Sequence, residues 1–188
     1  MPRKKTNPSR IPFHMSEAEA RRFLEEETVR MNIYAWAIVL GAVADRRDTT
    51  AESLLTFFEA VNGKSPRLRS RRSVEARLSV LEELTGIPFP FHDLRISNLR
   101  TQRDVDRLCQ KADENAVHSM FALIADAALA YHIMTKEEVC RLFQKAHVLR
   151  DELSEGRIIL QDLLEVLEQE FGLLLFMEGS SVRLQYAG

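Results

Sequence analysis

Arginine is the residue type in this chain whose spacing could do chemistry. Lys64, Arg67, Arg69, Arg71 and Arg72 fall within nine residues, and Arg77 carries the run onward along a helix. Arg3, Lys4, Lys5 and Arg10 form a second basic group near the N-terminus. The planar guanidinium fork suits phosphate and carboxylate oxygens. Three readings of the run stand side by side. It contacts a nucleic-acid backbone, it docks on an acidic protein surface, or it is a solvated loop balanced by acidic neighbours. No aromatic residue interleaves the run, so a stacking platform for single strands is not indicated.

The other chemical candidates are weaker. His118, Asp126 and His132 lie on or near one helical stretch, and His147 follows on the next. His118 and Asp126 are eight residues apart and share a face, but a metal site needs at least three converging ligands. The polar edge of a mostly buried helix explains them more simply, and no metal is expected. His14 and His92 fall in loops. Asp126 interrupts an otherwise apolar run, where an unpaired carboxylate is costly; it must be paired or sit at an opening. Cys109 and Cys140 form no Cys-x-x-Cys pair and read as small core residues. There is no Gly-x-x-x-x-Gly-Lys, no Gly-x-Gly-x-x-Gly and no His-Glu-x-x-His. No cofactor, small-molecule substrate or enzymatic reaction is indicated.

Helices must position these residues. Ser16 with Glu19 makes a capping box for a first helix, which either breaks near Thr28 or continues into the apolar stretch Met31 to Ala44. Thr49 or Thr50 caps a helix carrying Leu54, Leu55, Phe57, Phe58 and Val61, stopped by Asn62-Gly63. The basic run leads into a helix with Val74, Leu78, Leu81 and Leu84, ended by Gly86. Ile87-Pro88-Phe89-Pro90-Phe91 cannot be helical, since each proline removes a donor and drives its predecessor extended. Thr101 with Asp104 opens a second long helical region reaching toward Ile133, and Thr135 with Glu138 caps the next helix. Ser154-Glu155-Gly156 turns the chain into a last helix with Leu160, Leu163, Leu164 and Leu167, ended by Gly172. Residues 173–177 and 182–186 flank Glu178-Gly179-Ser180-Ser181 as a short β-hairpin. Two helices followed by a hairpin suggest a winged-helix layout, but the last helix carries Asp162, Glu165, Glu168 and Glu170 with no Lys or Arg. Phosphate would repel it.

Three blocks recur in one order. Ser79–Ile87 matches Glu165–Leu173, Thr50–Phe58 matches Thr135–Phe143, and the apolar stretch from Val29 matches that from Val117, at offsets of 86, 85 and 88 residues. Each half thus supplies one helix apolar nearly all round, which must be buried on several sides. Packing the two against each other across a pseudo-two-fold axis is the economical solution. The best-matching residues are Phe58 to Asn62, Leu153-Ser154-Glu155-Gly156 and Asp162 through Gly172. On these, the repeat resembles a group of small helical proteins encoded by phages and integrative elements of Firmicutes. This chain departs from that group in carrying two copies, a basic arm and a terminal hairpin. The resemblance implies a mobile-element setting and supplies no mechanism.

Composition fits that architecture. Among 188 residues there are only 7 glycines and 6 prolines, which argues against all-β and low-complexity classes. Apolar residues make up 45%, enough for a folded core. Two cysteines build no disulfide scaffold, and a cytoplasmic location is expected. Met31 to Ala44 is 14 residues long, whereas a membrane span needs about 20, so no membrane partner is expected. The net charge of −2 hides an asymmetry. Residues 1–100 hold 17 basic and 13 acidic side chains (net +4), and residues 101–188 hold 9 and 15 (net −6).

The sequence therefore predicts a mainly α, duplicated helical bundle of six to eight helices with pseudo-two-fold halves and a short C-terminal β-hairpin. Residues 1–13 form a basic flexible arm. Residues 14–100 form a first repeat with its basic linker and Pro-rich connection, and 101–188 a second repeat plus the hairpin, fused into one domain. The functional expectation is a non-enzymatic phage or mobile-element protein that docks on a host or element protein and inhibits nucleic-acid-handling or defence machinery. The alternative is direct nucleic-acid binding through the arm and the 64–77 cluster. The site residues are Arg3, Lys4, Lys5, Arg10, Lys64, Arg67, Arg69, Arg71, Arg72 and Arg77 under either reading.

Overall fold

The computed structural model describes residues 17–63, 71–96 and 101–188. Over these the chain is mainly helical: α1 (Glu17–Ala44), α2 (Ala51–Asn62), α3 (Arg71–Thr85), α4 (Gln102–Ala130), α5 (Lys136–Ser154) and α6 (Leu160–Phe171). Two strands follow, β1 (Leu173–Glu178) and β2 (Ser181–Tyr186). The expected arm, the Ser16 cap and most of the basic linker lie outside the described residues.

Helix α1 runs unbroken past Thr28, whose hydroxyl donates to the Leu24 carbonyl at 2.8 Å and so stays within the helix. Its first turns are charged and self-paired, with Arg21 on Glu17 at 2.7 Å and Arg22 on Glu26 at 3.1 Å. Its second half is apolar on all sides, and Ala35 through Leu40 are each at most 1% exposed. A helix like that needs neighbours all round. It finds them in α4, α5 and α6, while α3 packs on α4 and α5, and α2 reaches both α1 and α4. One contiguous core draws on every helix, on Phe89 and on both strands.

Local chemistry sets the boundaries. Thr50, Thr101 and Thr135 each accept from the backbone N–H three residues on, at 3.2 Å, in reciprocal capping boxes with Ser53, Asp104 and Glu138. Ahead of α6 stands Ile159, which has no polar side chain; the Asp162 carboxylate takes its N–H at 2.8 Å instead. Gly172 ends α6 in the left-handed region (φ 63°), where a side chain would strain the backbone. The hairpin is antiparallel, paired from Leu173 opposite Tyr186 to Glu178 opposite Ser181, one pair more than the alternation predicts. Leu173, Leu175, Val182 and Leu184 face the core.

Candidate functional site

The basic run enters the described structure at α3. Lys64, Arg67 and Arg69 lie outside the described residues, as do Arg3, Lys4, Lys5 and Arg10. Arg71 opens α3 and Arg72 is exposed beside it. Arg77 is placed differently. It turns inward toward α4, where its Nε donates to Asp126 Oδ2 at 2.9 Å. Its Nη1 donates to the Ser73 carbonyl at 3.2 Å and also to the Ser73 hydroxyl. The two side chains are 25% and 38% exposed. Asp126 is therefore both paired and at an opening. Its place in an apolar run signalled that it needed a partner, but nothing in the sequence pointed to a residue 49 positions away.

That opening is a groove of about 320 Å³ between α3 and α4. Ala76, Ala122 and Ala125 give it depth, because alanines at a helix–helix seam leave a notch. Val80, Leu84 and Leu129 form its apolar walls, and Arg77 and Asp126 line it as well. Val80 is 57% exposed, unusual for a residue beside the core. Arg72, Ala76, Val80 and Leu84 are spaced by four and form one ridge of α3, which begins at the basic run.

The histidines do other work. His118 is buried on α4; its Nδ1–H donates to the Pro90 carbonyl at 2.9 Å, and its Nε2 accepts from Arg150 Nη1. These partners assign the neutral Nδ1–H tautomer. Burial, with the Arg150 charge adding to it, pushes the imidazole down to about 4. Phe89 packs edge-on against His118 at 5.4 Å and Phe121 at 6.4 Å. The Phe89 N–H donates to the Glu82 carboxylate at 2.6 Å. The Asn115 side chain accepts from His92 N–H at 2.7 Å and donates to His92 C=O at 2.9 Å. Together Glu82, Asn115 and His118 hold the extended Pro-rich connection. The prolines were visible in the sequence; the side chains that satisfy the backbone they free were not.

His147 sits beside Phe89 at 6.3 Å, and its Nε2 is 3.4 Å from Asp151. Burial lowers its pKa. His132 is exposed at the end of α4. His118 is thus committed to the connection and Asp126 to Arg77. Among the described residues no three His, Cys, Asp or Glu side chains gather as metal ligands. Burial, aided by Asp113 and Asp106, pushes the Cys109 thiol up to about 11, which leaves it a poor nucleophile.

A wider cleft of about 730 Å³ separates the α1–α2 turn from the α4–α5 turn. Arg46, Thr49, Thr50 and Ser53 among its polar residues are engaged within the fold, and Arg47 and Asp48 are exposed at its rim. Arg46 meets Glu138 at 3.3 Å, the Thr49 hydroxyl donates to the Val43 carbonyl at 2.8 Å, and Thr50 and Ser53 cap α2. Among the described residues no helix is long and apolar enough to cross a membrane. The α3–α4 groove remains the place where an unspent apolar surface meets the basic run. No protein-family model matches the chain, and neither a curated protein nor a solved structure does.

Proposed function

We propose that this chain is a non-enzymatic binding protein of a phage or mobile element. It works in the cytoplasm and docks on a host or element protein through the basic surface of residues 64–77. The consequence proposed for docking is inhibition of nucleic-acid-handling or defence machinery. One observation carries the protein reading over its rival: the exposed ridge of α3 that starts at Arg72 continues as Ala76, Val80 and Leu84 into an apolar groove. A phosphate backbone gains nothing from burying valine and leucine. A protein partner gains about 25 cal/mol for each Å² of apolar surface covered. The charge split between the halves supports docking too, since complementary patches steer encounter and fix orientation.

The test is affinity capture from host lysate with the intact chain and with a quadruple variant, Arg67→Glu, Arg69→Glu, Arg71→Glu and Arg72→Glu. The expected result is a stoichiometric protein that survives nuclease treatment and is lost with the variant. Capture unchanged by the four reversals overturns the site. Recovery of nucleic acid, with affinity falling steeply as salt rises, transfers the function to direct phosphate binding through the arm and the 64–77 cluster.

A further inference from the structure

We propose that the α3–α4 groove seats one apolar side chain of an acidic amphipathic helix belonging to the partner protein, with a carboxylate of that helix, one turn away, on Arg77. The inference rests on the docking reading and specifies its partner chemistry.

Shape comes first. At about 320 Å³ the groove lined by Ala76, Ala122 and Ala125 has room for a branched aliphatic side chain, which Val80, Leu84 and Leu129 would flank. A groove between two helices runs along them, as a third helix packed by ridge and groove requires. The charge argument is more specific. Arg77 spends Nε on Asp126 and Nη1 on Ser73, and its Nη2 makes no hydrogen bond to any described residue. A guanidinium that lines an apolar groove with donors left over calls for an oxygen acceptor. Arg72, exposed near the same end of α3, strengthens the positive field there. Glu83, exposed near the other end, repels a carboxylate. The bound helix therefore has a polarity, with its acidic end over the N-terminal turns of α3. Sulfate or phosphate alone would leave the apolar walls uncovered, and a basic helix would meet Arg72 and Arg77 with like charge, while the one carboxylate in the groove lining, Asp126, is already spent on Arg77.

Designed helical peptides test this against the intact, ¹⁵N-labelled chain. The first carries leucines at i, i+3 and i+7 with glutamates on the flanking positions. The second replaces the glutamates by lysine, and the third replaces the leucines by glutamine. The acidic-apolar peptide is expected to bind at low salt, with amide shifts concentrated at Ala76, Val80, Leu84, Ala125 and Leu129. The other two should bind at least tenfold more weakly. Val80→Glu, at an exposed position that the fold does not need, should weaken the first peptide about tenfold, and Arg72→Glu about threefold. Equal binding of the lysine peptide, shifts elsewhere, no binding at all, or indifference to Val80→Glu overturns the proposal. So does sedimentation showing that a second copy of the chain already fills the groove, with Val80→Glu dissociating it. The two readings separate cleanly. Partner capture that is lost with the arginine reversals but untouched by Val80→Glu keeps the docking surface and removes the groove.

Discussion

Arg77 meets Asp126 where both keep partial contact with water, so the pair contributes modestly to stability. Partly exposed ion pairs contribute about 0.2–1 kcal/mol. Asp126→Ala is expected to lower unfolding free energy by about 1 kcal/mol, and a double-mutant cycle with Arg77→Ala should return a coupling of that size in urea titrations. A coupling near zero would mean the pair is a surface coincidence. His118 is a different case because it is wholly buried. Its folded pKa is about 4, against an ordinary value of 6.5. Between those values the unfolded chain holds a proton that the folded chain does not, so acid favours unfolding. The contribution is complete above pH 6.5 and is lost as pH falls toward 4, on the order of 3 kcal/mol in all. His147, also lowered by burial, acts in the same direction. Urea midpoints measured from pH 7 to pH 4 should fall less steeply for His118→Gln than for the natural chain, by roughly one proton in the linkage slope. Parallel slopes would show that the imidazole is already charged in the fold.

The connection after α3 behaves as an element although it is neither helix nor strand. Asn115 satisfies both backbone groups of His92 from a buried position. Asn115→Ala leaves a donor and an acceptor unmet and should cost about 1–3 kcal/mol per stranded group, the larger part of which Asn115→Asp should also lose because it cannot donate to the carbonyl. Thermal unfolding of the two variants beside the natural chain checks that order. Gly172→Ala should cost about 1 kcal/mol through backbone strain alone, since nothing lies within 4 Å of the added methyl. Elements of this kind were readable in advance where the signal was local. The threonine caps, the glycine ends, the prolines and the hairpin alternation each depend on a few neighbouring residues, and each appears where expected, the hairpin extended by the Glu178–Ser181 pair. The sequence leaves the continuity of α1 through Thr28 open, and the Thr28 hydroxyl's bond to the Leu24 carbonyl shows how the helix absorbs that residue. The site was less legible for a physical reason: Arg77 looks like one more member of a basic run until its partner, 49 residues on, turns it inward. Val80 and the alanine notch gave no signal at all, because a groove is a property of two helices packed together and of neither alone.

At the scale of the molecule the question is whether the two sequence halves could stand apart. Three blocks in register predict like units, yet α1 is covered chiefly by α4, α5 and α6, all from residues 101–188. In return α3 covers α4, and the shared core runs from Ala35 to Leu184. Each long apolar helix thus gets most of its burial from the other half, and removing either half would expose an apolar surface no domain of this size can leave in water. Unfolding should therefore be a single cooperative step. The chain carries its own probe for this. Trp36 is the one tryptophan, buried on α1 against Phe57 and Phe58, with ring centroids 6.3 and 4.7 Å away. Its fluorescence reports on the core at α1 and α2, whereas far-ultraviolet circular dichroism reports on helices throughout the chain, α1 to α6 among them. The two urea transitions should superimpose in midpoint and slope. A dichroism curve that keeps half its amplitude after the Trp36 transition is complete would mean that residues 101–188 hold together unaided. The reciprocal covering of α1 and α4 would then contribute little to stability.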